Sequence, residues 1–327
     1  MPTPYEQPNI QIFVSRRIDV NSTIVPNVLY KPMRCGAVFD KVNYANVAGD
    51  DTGDNISTKR ENFCKFTVQY WAWKNVQADY YGLCHYRRYL AFVKKSCSMD
   101  EHGLTPWPEL NSYAMRRFGL LNENDMREVI SKYDLIIPNP ASVRRMALPH
   151  EKVNTVRQLW EAHDKIFFDK SMITRLFELI DELAPQYSAS AKEYFDGDKH
   201  CGYNCYIMRR NLFQRLCLLQ FPIMEALERE KFSQGDFPRA PAYAGEMLFG
   251  VFCYHVITRE GACALKLPLV LFAETEPTVS RTEWVRRRYI FFQDQIIRRL
   301  TYPLFPIGSR RREIFKSIYY RITGRKK

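Results

Sequence analysis

Three clusters of residues in this 327-residue chain could do chemistry. The first is HYRRY (85–89). Guanidinium groups are planar, permanently charged and carry paired donors, so Arg87 and Arg88 suit a diphosphate and its stabilisation as a leaving group. His85 is read either as part of that anion-binding group, with Tyr86, or as a packed histidine, and one arginine could instead pair with an acidic loop. The second is DDTGDN (50–55), where Asp51, Asp54 and Asn55 offer oxygens to a ribose, a sugar hydroxyl or a divalent cation. Its spacing is not that of a calcium loop, and the same residues make an ordinary turn. The third is Glu246 in RAPAYAGEMLFGVFCYH (239–255), a carboxylate able to take a proton from a hydroxyl. The alternative is a first-turn glutamate favoured by the helix dipole. His163 and His255 stand singly on helical patterns and are read as structural.

These groups need elements to hold them. IQIFVS (10–15) is a β-branched and aromatic run that fits a buried first strand, and DYYGLC (79–84) a second that leads straight into HYRRY. Between them, Thr58 and Glu61 have capping-box spacing, and Phe63, Phe66, Tyr70 and Trp73 recur at helical intervals up to a stop at Asn75. Residues 96–119, rich in Gly and Pro, read as an irregular, mobile loop over a site, or as mere surface. Helices are expected over 124–132, 151–168, 171–183 and 211–230, and strands over YDLIIP (133–138) and GYNCYIMR (202–209). This alternation predicts an α/β fold with a mostly parallel sheet flanked by helices. Ligands in such folds sit beyond the strand carboxyl ends, where HYRRY falls.

The net charge of +12 suggests a nucleic-acid partner until it is divided along the chain. Residues 281–327 hold 14 Lys and Arg against 3 Asp and Glu, leaving residues 1–280 with 34 against 33. We therefore expect a neutral body over 1–280 and a basic tail over 281–327, without nucleic acid. The tail mixes its charges with Trp284, Tyr289, Phe291, Phe292, Ile296 and Phe305. That pattern suits an amphipathic helix resting on an anionic membrane surface, or one docked on a protein, and removal after Thr282 is expected to leave the body intact. No segment reads as a secretory signal, and no apolar run approaches the roughly 18 residues of a spanning helix, so the expected location is cytoplasmic and peripheral on the inner membrane face. Nine scattered cysteines, among them Cys201 and Cys205, read as reduced and packed.

DDTGDNIS (50–57), QYWAWKN (69–75) and DYYGLCHYRRYL (79–90) closely resemble a bacterial family of capsular and exopolysaccharide glycosyltransferases, long catalogued as a domain of unknown function. The resemblance extends from about Ile10 to about Pro268, more loosely through YDLIIP, NCYIMRRNLF and GEMLFGVF. It implies a GT-A-like fold, a nucleotide-sugar donor such as UDP-linked galactose or galactofuranose, and a growing lipid-linked saccharide as acceptor. Ordinary enzymes of that fold bind Mn or Mg through a D-x-D motif at a central strand end. Here that place falls to His85-Tyr86-Arg87, so the arginines stand in for the metal's charge, no metal ligands are assigned, and a need for Mn or Mg is left open. By the same analogy Glu246 is the base of an inverting displacement, with Met247 where relatives often carry Arg. Asp51, Asp54 and Asn55 orient the donor, and Asn204 and Arg239 fall on the acceptor side. A non-catalytic, membrane-tethered saccharide-binding or scaffold protein is the alternative.

Overall fold

The computed structural model describes residues 7–43, 46–93, 97–146, 148, 152–230, 232, 234–278, 280–304 and 310–323. Ser96, Glu151 and Phe305, which the expectations above include, lie outside them. The chain opens with two strands, β1 (Ile10–Arg16) and β2 (Tyr30–Arg34). A short α1 (Arg60–Phe63) and α2 (Phe66–Asn75) lead to β3 (Tyr80–His85) and β4 (Arg88–Leu90). The Thr58–Glu61 capping box does not form. Lys59 caps α1 without a side-chain bond, because Thr58 belongs to the 3-10 turn Ser57–Lys59 that precedes the helix.

The supposed mobile loop is also corrected, for it contains β5 (Leu104–Glu109) and α3 (Ser112–Arg117). Then come α4 (Glu123–Ser131), β6 (Leu135–Pro138) and the two-residue β7 (Ala141–Ser142). The helix expected over 151–168 contracts to α5 (Val156–Glu161), capped by Thr155, with Lys165 beyond it in the left-handed region. The remainder is α6 (Ser171–Leu183), α7 (Ser188–Asp196), β8 (Lys199–His200), β9 (Tyr206–Arg209) and α8 (Arg210–Arg229), followed by α9 (Ala240–Thr258), β10 (Ala264–Leu267) and β11 (Leu269–Glu274). The tail forms α10 (Arg281–Leu304) and α11 (Arg310–Thr323).

Among the described residues the main sheet has nine strands. β1 pairs in parallel with β2 and β3, β6 with β10, and β5 with β11, while β9 runs antiparallel to both β3 and β6. The sheet is therefore mixed rather than mostly parallel. Strand alternation explains the continuous apolar runs of β1 and β3, because both faces are covered. Phe13, Tyr81 and Leu83 point into one core with α2, α6, α8 and α9, whereas Ile12, Val14, Tyr80 and Cys84 point into the other with α3 and α4. Tyr81 stacks on Phe213 of α8 at 4.2 Å.

Just past β3 the sheet forks. The turn at Tyr86 and Arg87 folds back so that His85 opposes Arg88, and β4 then joins β11 and β5 in a separate wing. The fork opens the sheet at the carboxyl end of β3, and HYRRY sits in the opening.

Candidate functional site

Parallel pairing sets two basic dipeptides side by side. Ser15 of β1 lies opposite His85 of β3, so Arg16 and Arg17 emerge beside Tyr86, Arg87 and Arg88. Tyr86 N–H donates to the Ser15 carbonyl at 3.0 Å, fixing the two strand ends together. Arg16 is buried, and Arg17 is held by Asp19 at 2.8 Å. Arg87 Nε donates to the Phe272 carbonyl at 3.2 Å, and the Arg88 guanidinium lies 4.9 Å over the Tyr203 ring. Arg88 Nε and His85 Nδ1 are buried and have no hydrogen-bond partner among the described residues. Burial holds the His85 pKa well below that of an ordinary histidine, with Arg88, Lys65, Arg87 and Arg17 adding to the effect, so its ring is neutral at pH 7.

Glu246 reaches the same place from another element. It lies in the second turn of α9 rather than the first, which removes the helix-dipole explanation for its presence. Its Oε1 accepts the Tyr203 N–H at 2.6 Å. Tyr203 and Asn204 both have positive φ, 70° and 45°, and a chain of side-chain amides holds this uncommon turn. Asn204 Nδ2 donates to Gln69 at 3.1 Å, Gln69 to Gln220 at 2.7 Å, and Gln220 to the Gly245 carbonyl at 2.7 Å, next to Glu246 itself. α2, α8, α9 and the 203–204 turn are thus locked around one carboxylate. Lys65 Nζ donates to the Tyr203 carbonyl at 2.6 Å and stands 3.7 Å from Glu246 Oε2. Burial alone would raise the Glu246 pKa, but Lys65, the Tyr203 N–H, His200 and Arg88 together hold it below the usual glutamate value.

Ser15, Arg16, Arg17, Lys65, Tyr203 and Glu246 line one cleft of about 990 Å³ with the His85–Arg88 turn. Arg16, Arg17, Arg60, Lys65, Arg87, Arg88 and Arg239 face it against two carboxylates, Glu61 and Glu246. A cleft with such an excess of fixed positive charge concentrates an anionic ligand. It fits a divalent cation poorly: Glu246 is engaged by Tyr203 and Lys65, and among the described residues no three His, Cys, Asp or Glu side chains converge on one point.

His85, Tyr86, Arg87, Arg88, Arg239 and Glu246 line the same cleft, joined by His163. His255 is tied to Ser190 at 2.9 Å and Glu260 at 3.1 Å and does not line the cleft. Asp51, Asp54 and Asn55 also lie outside the lining, which corrects their expected position. Asp54 accepts from the Tyr70 hydroxyl, Asn75 bonds the Asp54 backbone in both directions, and Asn55 closes a turn on Gly53 and Ser57. The loop serves the cleft through Asp50 instead. This fully buried carboxylate accepts the Gly36 and Ala37 N–H groups at 2.9 Å each and the Ser57 hydroxyl at 2.6 Å, shaping the turn after β2. Asn204 is likewise withdrawn from the cleft into the amide chain. Sequence reasoning missed Arg16, Arg17, Lys65 and the aromatic residues Trp160, Phe167 and Tyr243. The available signal was SRR at the end of β1, the counterpart of HYRR at the end of β3.

A forked α/β sheet with its cleft at the carboxyl ends of β1 and β3 defines a GT-A-like fold. A solved structure described as the apo form of the bifunctional glycosyltransferase WbbM matches it with a TM-score of 0.70, at 23% identity over 83% of this chain and 48% of its own. This chain thus spans about half the length of that protein. Residues 12–257 match the family described as Domain of unknown function (DUF4422), and the chain belongs to that family. No curated protein matches it.

Proposed function

We propose that this protein is an inverting glycosyltransferase that moves a sugar from a nucleoside diphosphate donor, UDP-linked galactose or galactofuranose for example, to a lipid-linked saccharide in capsular or exopolysaccharide synthesis. The observation that carries the reading is the placement of Glu246, held ionised by Lys65, in one cleft with the arginines of two neighbouring strand ends. The chemistry is a single displacement. The acceptor oxygen bonds to the anomeric carbon as its proton passes to Glu246, and the anomeric C–O bond breaks with its electron pair going to the diphosphate. Negative charge develops on that leaving group, where Arg16, Arg87 and Arg88 are already fixed and need no reorganisation. His85, neutral and with Nδ1 unpaired, and Tyr86 border the same anion. The bifunctional glycosyltransferase on the same fold adds support.

The acceptor's lipid places the enzyme at the inner membrane face. Among the described residues no helix is long and apolar enough to cross a membrane, so the basic tail would make that contact from the surface.

Nucleotide-sugar transfer by the full chain tests the proposal. Glu246→Gln keeps shape and hydrogen bonding but cannot take the proton, and should lower kcat by about 10³-fold with donor affinity retained. Arg87→Ala should cost about 10²-fold in kcat by removing one fixed donor from the leaving group. Wild-type turnover in both variants removes these roles. A thermal-shift screen of nucleotide sugars, with and without Mn²⁺, reports donor class and metal requirement together. Tight donor binding without transfer would favour a saccharide-binding or scaffold protein.

A further inference from the structure

The cleft wall beside Glu246 is aromatic, which proton abstraction does not require. Tyr243 lies three residues before Glu246 on α9, on the same helix face. Its ring stacks on Phe167 at 4.5 Å, and Phe167 on His163 at 4.6 Å, with 11° between planes at each step. Trp160 meets Tyr243 nearly edge-on at 6.4 Å. These four residues line the cleft, and His163, Phe167 and Tyr243 are only half-buried. Rings placed solely to fill a core would be withdrawn from water, as neighbouring Phe168 is. Arg239, one turn before Tyr243, and His102 supply polar groups at the same cleft.

A pyranose presents a flat face of C–H bonds edged by hydroxyls, and an aromatic surface with a few polar groups beside it fits both parts. A nucleobase is the competing occupant of such a wall. In a donor, however, two phosphates and a ribose separate the base from the anomeric carbon, while this wall starts three residues from the carboxylate at the acceptor oxygen. We propose that Tyr243, stacked on Phe167 and His163, forms an acceptor subsite for a pyranose ring whose nucleophilic hydroxyl faces Glu246. This rests on the glycosyl-transfer reading and adds the side from which the acceptor enters.

Saturation-transfer NMR on the full chain tests it, with methyl β-galactopyranoside, methyl β-glucopyranoside and UDP as probes. Tyr243→Leu keeps apolar bulk and helix preference while removing the ring, and Tyr243→Phe keeps the ring. The wild type should saturate the C–H protons of at least one glycoside. Tyr243→Leu should bind it about tenfold more weakly, Tyr243→Phe as the wild type does, and UDP should bind all three alike. The proposal is overturned if the wild type saturates neither glycoside, if Tyr243→Leu binds as the wild type does, or if Tyr243→Leu loses UDP to the same degree, which would put the base on this wall. Failure of the glycosyl-transfer reading looks different: glycoside signals persist, while neither UDP nor any nucleotide sugar binds.

Discussion

Glu246 and Lys65 are both mostly shielded from water, their side chains 19% and 13% exposed, and each stabilises the other's charged form. A base in this reaction must be ionised, so transfer should fail as pH falls through the depressed pKa of Glu246. Lys65→Met removes the strongest influence holding that pKa down. The pKa then rises, and the acid limb of kcat/KM should move to higher pH, whereas Lys65→Arg should keep it near the wild type. An unmoved limb in Lys65→Met would separate Lys65 from the chemistry. The same linkage acts on stability: a carboxylate with a lowered folded pKa contributes above its unfolded value, and the contribution is lost as pH falls through the folded one. Lys65→Met should also cost about 3 kcal/mol at pH 7, since it leaves a largely buried charge without its partner. Asp50→Ala is a second case. It strands the Gly36 and Ala37 N–H groups and should cost about 3 kcal/mol in chemical denaturation. Residue types made HYRRY stand out in the sequence, and the family resemblance singled out Glu246. Lys65 and Arg16 were not legible there, because their importance arises from the pairing of β1 with β3 and from the start of α2 facing α9.

Gly245 shows how tightly α9 must sit to aim Glu246. A Cβ there would stand 2.6 Å from Phe66 Cζ and 2.7 Å from Met224 Sδ, both on buried side chains. Helix propensity favours alanine over glycine by about 1 kcal/mol, but overpacking costs about 1–3 kcal/mol and shifts the helix. Gly245→Ala should therefore lower the melting temperature, and it should reduce kcat more than donor affinity because the base moves. A rise in melting temperature would show that the helix has room after all. In a sequence alone such a glycine is ambiguous between freedom and close packing. The prolines of β5 misled in a similar way. Pro106 and Pro108 suggest a loop, yet alternate residues of a strand direct their backbone N–H positions to one side, and an edge strand that among the described residues pairs only with β11 tolerates them there. Strands buried on both faces, such as β1 and β3, and the long α6 and α8 were legible because their apolar patterns extend over the whole element.

At the scale of the molecule, the tail joins the body at its start. Trp284 Nε1 donates to Glu109 at 2.8 Å, and Arg287 bonds the Glu276 carbonyl at 3.0 Å and approaches Glu274 at 3.6 Å, so the first turns of α10 dock on β5 and β11. Cutting after Thr282 removes these contacts along with the tail, and a cleaner test leaves them in place. Val285, Tyr289, Phe292 and Ile296 recur at helical spacing on another face of α10 and are 52%, 66%, 49% and 56% exposed. A continuous apolar stripe on a strongly basic helix matches an anionic bilayer, where each basic residue near the surface adds about 1 kcal/mol. Full-length protein should sediment with vesicles containing phosphatidylglycerol, should not sediment with pure phosphatidylcholine, and should detach at high salt as the charges are screened. In Tyr289→Glu/Phe292→Glu the stripe is interrupted by two carboxylates, and vesicle affinity should fall by about tenfold or more. Because both side chains face water, the melting temperature and transfer to a soluble acceptor should not change. Retained vesicle binding in the double variant, or none in the wild type, would mean that α10 serves a protein partner instead.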